Sequence, residues 1–484
     1  MYLNFTKKTK IVCTIGPASQ DEQTLRKLIE NGMNLARLNF SHGDYAEHLA
    51  KLNTIRSFEK EGVYIPVLLD TKGPEIRCHN MENDKIEIKK GSTVRISMTE
   101  VLGTPSKISV NFPDLYKDAN IGNHIKIDDG KLDLLVTDKD EEHNELITEA
   151  LNDHELCSKK GVNCVGARLS MKFISEKDEQ DLIWGCEHGV DFISASFVRN
   201  KQDVEDIRKI LVEHGHPEIK IISKIENYEA MNCLDEIIDA SDAIMVARGD
   251  LGVEVPFEEV PLVQRRLITS CRQKGKPVIT ATQMLDSMTH SPVPTRAEVS
   301  DVATAVSEST DCVMLSSESA SGEYPCEAVL AQTKISRAIE SELNYEKFAQ
   351  EAYDTSNKDN NDAIANSIAN TAKLIDAKLI VSYTVTGRSS RRISKARPSC
   401  PILSISNKRT TVLQNAIYWG IYSILIPNRM PDFIEEMETI AIFYAKKLGL
   451  KPGDPIVVSG GTPAAAGKTN FMRIITIPKD RDNL

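Results

Sequence analysis

Lys224 and Glu226 stand at the end of the apolar run in "IISKIENYEA" (221–230), and Asp250 ends the next run, "AIMVARGDLG" (243–252). Such runs read as buried strands, and buried charge needs a partner. Two carboxylates that leave room for water and substrate oxygens suit Mg²⁺ better than an all-protein cage. Lys224, with Arg37 from "ARLNFSHG", would neutralise charge on a phosphoryl group in transit. The "RGDLG" segment adds backbone amides beside the metal that can hold a carboxylate. These residue types specify a divalent metal, an anionic substrate and a lysine over the charge that develops.

Other runs end in the same way. Arg37, Asn39, Ser41 and His42 follow one run, and Asp70, Thr71, Glu75 and Arg77 follow the next in "DTKGPEIR". Thr282 ends a later run, and Ser316 and Glu318 end the last. A lone polar residue at a strand end is ordinarily a cap or an ion pair. Polar groups at the ends of most strands imply one shared rim.

The elements that would build that rim are readable. Eight short apolar runs recur: 11–16, 34–40, 65–71, 192–198, 219–226, 243–250, 277–283 and 312–318. Helical patterns such as "DEQTLRKLIENG", "EKDEQDLIWGCEHG" and "RAEVSDVATAVSES" lie between them. Eight strand–helix units predict an α/β fold, a (β/α)8 TIM barrel, whose active site lies at the C-terminal ends of the strands. The rhythm breaks after the third run. There the pattern turns to alternation and an Asp-Gly hairpin signal in "IGNHIKIDDGKLDLLV", which predicts a small inserted β domain. After the polar stretch "EAYDTSNKDNND", a second α/β pattern predicts a C-terminal domain. The expected division is a barrel over 1–72 and 169–344, an insertion over 73–168 and a C-terminal domain over 345–484.

Composition narrows the function. At 484 residues the chain is too long for one ordinary domain. A net charge of −11 argues against general binding to nucleic acid or anionic membranes, so any anionic ligand must be drawn by a local basic cluster. No apolar stretch reaches the roughly 18 residues of a membrane span, and no signal peptide is evident at the start. The expected location is cytoplasmic. The ten cysteines form no CxxC pair and are expected to be reduced, mostly buried thiols.

"KTKIVCTIGPAS", "ARLNFSHG", "LLDTKGPEIR", "KKGVN", "SKIEN", "VARGDLGVE" and "TATQMLDSM" together closely resemble the pyruvate kinase family, in the family's order, from about residue 8 to the C-terminus. The resemblance implies transfer of the phosphoryl group of phosphoenolpyruvate to ADP, giving ATP and pyruvate as the last step of glycolysis. It implies Mg²⁺ (or Mn²⁺) on Glu226 and Asp250, with Lys224 and Arg37 on the transferring group. The amides of Gly249 and Asp250 and the Thr282 hydroxyl would hold the substrate carboxylate. Asn39, Ser41, Asp70 and Thr71 would bind K⁺, and a glutamate at 75 accompanies K⁺ dependence in the family. Arg77, His42, Asn39 and Lys160 would contact the nucleotide, under an inserted β-barrel that acts as a lid. Ser316 and Glu318 would relay a proton to the enolate, and the assembly would be a homotetramer.

One motif departs from the family. Ser317 stands where a glycine is usual, and a positive φ there would carry a local cost. "GGTPAAAGKT" (460–469) resembles a Walker phosphate loop, but Thr462 occupies the position that needs glycine. It remains, with Thr384, Thr386, Gly387, Arg388 and Ser389, a loop able to give amides and hydroxyls to a phosphate. The family's loop at 384–389 holds a phosphate of an allosteric sugar phosphate, so a phosphorylated effector is expected. Two alternatives stay open: a metal-dependent aldolase or lyase acting on pyruvate-like enolates, and a catalytically dead sugar-phosphate sensor.

Overall fold

The computed structural model describes residues 5, 7–426, 429–462 and 469–479. Eight parallel strands close into a barrel: Lys10–Thr14, Leu35–Asn39, Val67–Asp70, Phe192–Ala195, Lys220–Ile225, Ala243–Ala247, Val278–Ala281 and Cys312–Leu315. Seven fall within the apolar runs, and the first begins one residue before its run, at Lys10. These runs are continuous because the strands are covered on both faces, inside by barrel-filling residues such as Val12, Leu68 and Met245 and outside by helices.

The intervening helices start and stop where local chemistry dictates. Asp21 caps helix Glu22–Asn31, accepting from the Thr24 N–H, and Gly32 ends it at φ 121°. Ser175 with Asp178, and Thr295 with Glu298, form capping boxes on helices Glu176–His188 and Arg296–Ser307.

Between barrel strands three and four lie a seven-stranded sheet and a two-stranded ribbon. Their core runs from Ile76 to Cys164. The Asp-Gly signal forms a hairpin between His124–Ile127 and Leu132–Asp140, with Asp128, Asp129 and Gly130 all at positive φ. The insertion docks on the barrel through Asn163 Nδ2, which donates to Glu254 (2.9 Å), and Lys126 Nζ, which donates to the Val253 carbonyl (2.8 Å). Both partners lie on helix Arg248–Glu254, which directly follows barrel strand six and carries Asp250.

The C-terminal sheet holds Ile421–Leu425, Ile402–Ser406, Leu379–Tyr383, Pro455–Gly460 and Phe471–Thr476, in that spatial order, the last pair antiparallel. It packs under the barrel's N-terminal face. There Lys10 Nζ donates to the Ile421 carbonyl (2.5 Å), and the Trp419 N–H donates to Asp311 (3.0 Å). All ten cysteines are unpaired and none is exposed. Among the described residues, no helix is long and apolar enough to cross a membrane.

Candidate active site

Strand register gathers the polar ends. Asn39 lies opposite Asp70 between strands two and three, and Ser194 is the next strand's partner of Asp70. Asp70 is 1% exposed and sits between two cations: Arg37 Nε at 2.7 Å and Lys224 Nζ at 3.3 Å. Burial alone would raise its pKa, but these two charges outweigh burial and hold the carboxyl below its usual range. Arg37 also donates to the Thr14 hydroxyl at 2.9 Å, so its guanidinium is fixed from two strands.

Lys224 Nζ donates to Ser196 Oγ at 2.8 Å and lies 2.9 Å from Glu226 Oε1. Burial works against its charge, yet Asp70 and Glu226 overcome that and raise its pKa above the ordinary lysine value. Glu226 shows the opposite balance. Its burial dominates over Lys224 and, with the neighbouring Asp250 charge, pushes the carboxyl up to about 7. The Phe197 N–H donates to its Oε2 at 2.6 Å. Oε1 is buried and has no hydrogen-bond partner among the described residues; the lysine contact is an ion pair without hydrogen-bond alignment. Asp250 is also raised by burial, and its carboxylate makes no ion pair or hydrogen bond to another side chain among the described residues.

A buried and a half-buried carboxylate with lone pairs to spare fit a hard divalent cation that keeps water and substrate oxygens in its shell. No cluster of three metal-ligating side chains occurs among the described residues, so a closed protein cage is not what the rim builds.

Thr282 stands across from this pair at φ 66°, followed by Gln283 at φ 53°. Left-handed backbone at two successive non-glycine residues is strained. Arg248 holds the strained segment. Its Nη2 donates to the Thr282 carbonyl (2.7 Å) and its Nε to the Ala281 carbonyl (3.2 Å), while Asp301 grips it from below at 2.6 and 2.7 Å. The Gly249 N–H donates to Thr282 Oγ1 at 2.8 Å, so amide and hydroxyl already form one unit. The next amide, of Asp250, follows it in the first turn of the helix.

Glu318 is buried, its carboxyl raised by burial, and it accepts from the Ser316 N–H (2.8 Å) and the Leu285 N–H (3.1 Å). The feared cost at Ser317 does not arise: it opens the short helix Ser317–Ala320 and does not adopt positive φ.

The remaining expected residues sit as follows. Asn39 Oδ1 accepts from the Ser41 N–H (3.1 Å), and the Thr71 carbonyl accepts from Ser196 Oγ (2.6 Å). The His42 side chain is exposed, and its carbonyl is 2.9 Å from His48 Nε2. Arg77 pairs with Glu75 at 2.7 and 2.9 Å. The register that sets Gly161 opposite Arg77 places Lys160 nearby, where it pairs with Asp128 at 2.9 Å. A cleft of about 790 Å³, lined by Glu75, Phe197 and Asp250 among others, opens between rim and insertion.

In the C-terminal domain, Thr384 Oγ1 accepts from the Gly387 N–H (3.0 Å), and Gly387 is at φ 83°. Thr386 is half-buried and Arg388 exposed. The Ser389 hydroxyl is hydrogen-bonded to Thr469, beside a pocket of about 400 Å³ that Arg388 also lines. The centre of the second loop, 463–468, lies outside the described residues.

Ser196, Thr14, the Phe197 amide and Arg248 were not foreseen. Ser194 and Ser196 did carry a signal, two hydroxyls at alternate positions in the apolar run "FISASFV". Arg248 was inside a motif already singled out, but its role depends on Asp301, 53 residues away.

A barrel with a cation pair, two candidate metal-binding carboxylates and an amide–hydroxyl cradle on its C-terminal rim defines a phosphotransferase. Comparison with known proteins agrees. Residues 6–329 match the pyruvate kinase barrel-domain model, and 362–475 match the pyruvate kinase alpha/beta-domain model. The chain is 48% identical to the pyruvate kinase of Geobacillus stearothermophilus over 474 residues, covering 97% of this chain and 80% of that one. It is 47% identical to that of Bacillus licheniformis and 45% identical to that of Staphylococcus aureus strain MRSA252, with the same coverages. The chain belongs to the pyruvate kinase family.

Proposed function

We propose that this rim moves the phosphoryl group of phosphoenolpyruvate to ADP and then protonates the enolate to pyruvate. The observation that carries the reading is the Lys224 ammonium, held 2.9 Å from Glu226 and 3.3 Å from Asp70, while Asp250 has no ion-pair partner among the described residues. Arg37 and Lys224 would bind and orient the phosphoryl group and balance its charge in transit. The Gly249 and Asp250 amides and the Thr282 hydroxyl would hold the carboxylate end. Glu226 and Asp250 would hold Mg²⁺, which when bound supplies Lewis acidity at the substrate oxygens. Asn39, Ser41, Asp70 and the Thr71 carbonyl would hold K⁺; the opposition of Asn39 and Asp70 supports that grouping. Ser316 and Glu318 would pass the proton to the enolate; burial, which raises the Glu318 carboxyl, supports that reading.

Arg77, His42, Asn39 and Lys160 would engage ADP. For Arg77 and Lys160 this requires exchange of Glu75 and Asp128 for phosphate, a charge-for-charge replacement. The inserted domain would exclude water from a transfer that hydrolysis could waste. Thr384, Thr386, Gly387, Arg388 and Ser389 would take a phosphorylated effector, and the enzyme would work in the cytoplasm as a homotetramer.

The test is a coupled assay for pyruvate from phosphoenolpyruvate with Mg²⁺ and K⁺, with and without ADP. Pyruvate formed only with ADP, with equal ATP, is the expected result. Pyruvate without ADP points to a lyase or hydrolase, and no pyruvate at all to a sensor.

A further inference from the structure

A second polar cavity lies on the opposite side of the barrel from the active site, where the N-terminal face meets the C-terminal domain. It holds about 200 Å³. Five cations line it: Arg272 and Lys276 from the barrel side, and Arg391, Lys395 and Arg397 from the C-terminal domain. Its one carboxylate is Asp311. In a chain of net charge −11 such a cluster needs a reason.

Two helix ends provide part of it. Helix Val260–Lys274 and helix Arg388–Lys395 both end here, and each C-terminus carries roughly half a negative charge. With Asp311, and Glu351, which pairs with Arg272, these ends offset about three of the five positive charges. About two remain. The acids just outside are already matched: Asp239 by Lys274, Asp242 by Arg208 and Lys220, and Asp362 by Arg392.

The donors are not all used either. Arg397 is spent on Asp311, Ser309 and Ser394. Arg272 is not. It is 7% exposed, and its Nε has no partner among the described residues. A buried guanidinium nitrogen without an acceptor is costly, and Arg272 lines the cavity with the other cations. Burial holds the Arg272 pKa below the usual arginine value, and the Arg397 charge adds to this. Burial likewise lowers Lys276 and Lys395.

We propose that this cavity binds one tetrahedral oxyanion, free phosphate or sulfate, clamped between the barrel and the C-terminal domain. The Arg272 Nε–H would donate from the barrel and the Arg391 guanidinium from the other side, where it stacks on Tyr418 at 5.0 Å. The small size of the cavity favours a free anion over a whole metabolite. Helix Arg388–Lys395 starts at the 384–389 loop and ends at this cavity. An anion here therefore ties that helix to the barrel without touching the catalytic rim.

The experiment uses the full chain and two variants, Arg391→Gln and Lys276→Gln, neither of them near the rim. Crystals soaked in selenate are searched for anomalous scattering, and phosphate binding is measured by calorimetry at constant ionic strength. The expected result is a selenate peak within hydrogen-bond distance of Arg272 Nε. Phosphate affinity at one site should fall at least tenfold in each variant, with basal turnover unchanged. A Ser389→Ala protein should keep that site. No peak in the cavity, or equal phosphate binding in wild type and both variants, would overturn the proposal. Displacement of selenate by glucose 6-phosphate would overturn the free-anion assignment.

Discussion

Replacing Lys224 with methionine tests the charge logic of the rim most directly. Methionine keeps the length and apolar stem and removes the ammonium. In this structure that ammonium lies 2.9 Å from Glu226 and 3.3 Å from Asp70, so a phosphoryl oxygen that enters between them comes within about 4 Å of it. At that distance and an effective dielectric near 20, one unit of charge is worth about 4 kcal/mol. At about 1.4 kcal/mol per factor of ten, phosphoryl transfer should slow about a thousandfold. The protein should still fold, because the lost charge can be replaced by a proton. Burial already holds Glu226 at about 7 against the opposing pull of Lys224, and without the lysine it shifts further up. The assay is pyruvate formation coupled to lactate dehydrogenase, beside proton exchange at C3 of pyruvate followed by NMR in D₂O. Exchange should survive, since Ser316 and Glu318 are untouched. A variant that transfers phosphate within tenfold of wild type refutes the role. Equal loss of transfer and exchange would make Lys224 an organiser of the whole site.

Glu226→Gln and Asp250→Asn should each raise the Mg²⁺ concentration for half-activation at least tenfold, read from initial rates over a Mg²⁺ titration; unchanged constants in both would remove these residues from the metal site. Glu75→Lys should lower K⁺ dependence, scored as the ratio of rates in K⁺ and tetramethylammonium, and should lower the KM for ADP, because Arg77 no longer has to exchange its Glu75 partner for phosphate. His48 is 2% exposed, stacks on Phe40 and holds the His42 carbonyl, and burial lowers its pKa from 6.5 to about 4. A depressed folded value means that stability is full above 6.5 and is lost as pH falls through 4, by about 3 kcal/mol in all. His48→Gln should flatten that acid limb in a pH series of thermal melts. Thr384→Ala with Ser389→Ala should abolish activation by a sugar phosphate or AMP in phosphoenolpyruvate saturation curves while leaving the unactivated rate within twofold.

The barrel was legible because its strands are buried on both faces, which forces unbroken apolar runs, and because eight such runs recur between helical patterns. The charged rim was legible for a related reason: charge at the end of an apolar run stands out. Hydroxyls do not. Ser196 links Lys224 to the Thr71 carbonyl, and Thr14 fixes Arg37, yet each reads as an ordinary strand residue. Nor did residue type reveal that Arg77 and Lys160 would be paired with Glu75 and Asp128 in this state.

Backbone strain was the least legible feature, and it lies where the chemistry is placed. Phe197, Thr282 and Gln283 adopt positive φ without being glycine. Each such residue costs of order 1–3 kcal/mol and persists only where its surroundings over-determine it. Here the surroundings are neighbouring strands. Glu226 just after strand five accepts the Phe197 N–H from just after strand four, and Arg248 after strand six grips the Thr282 carbonyl after strand seven. The strained residues therefore keep their conformation only while the ring is closed. The proposed metal ligand Glu226 is also the acceptor that fixes Phe197, so Glu226→Gln should disturb strand four as well as the metal. Glu226→Ala should disturb it more, and comparing amide exchange at Phe197 in the two variants separates the structural share of Glu226 from its ligand share.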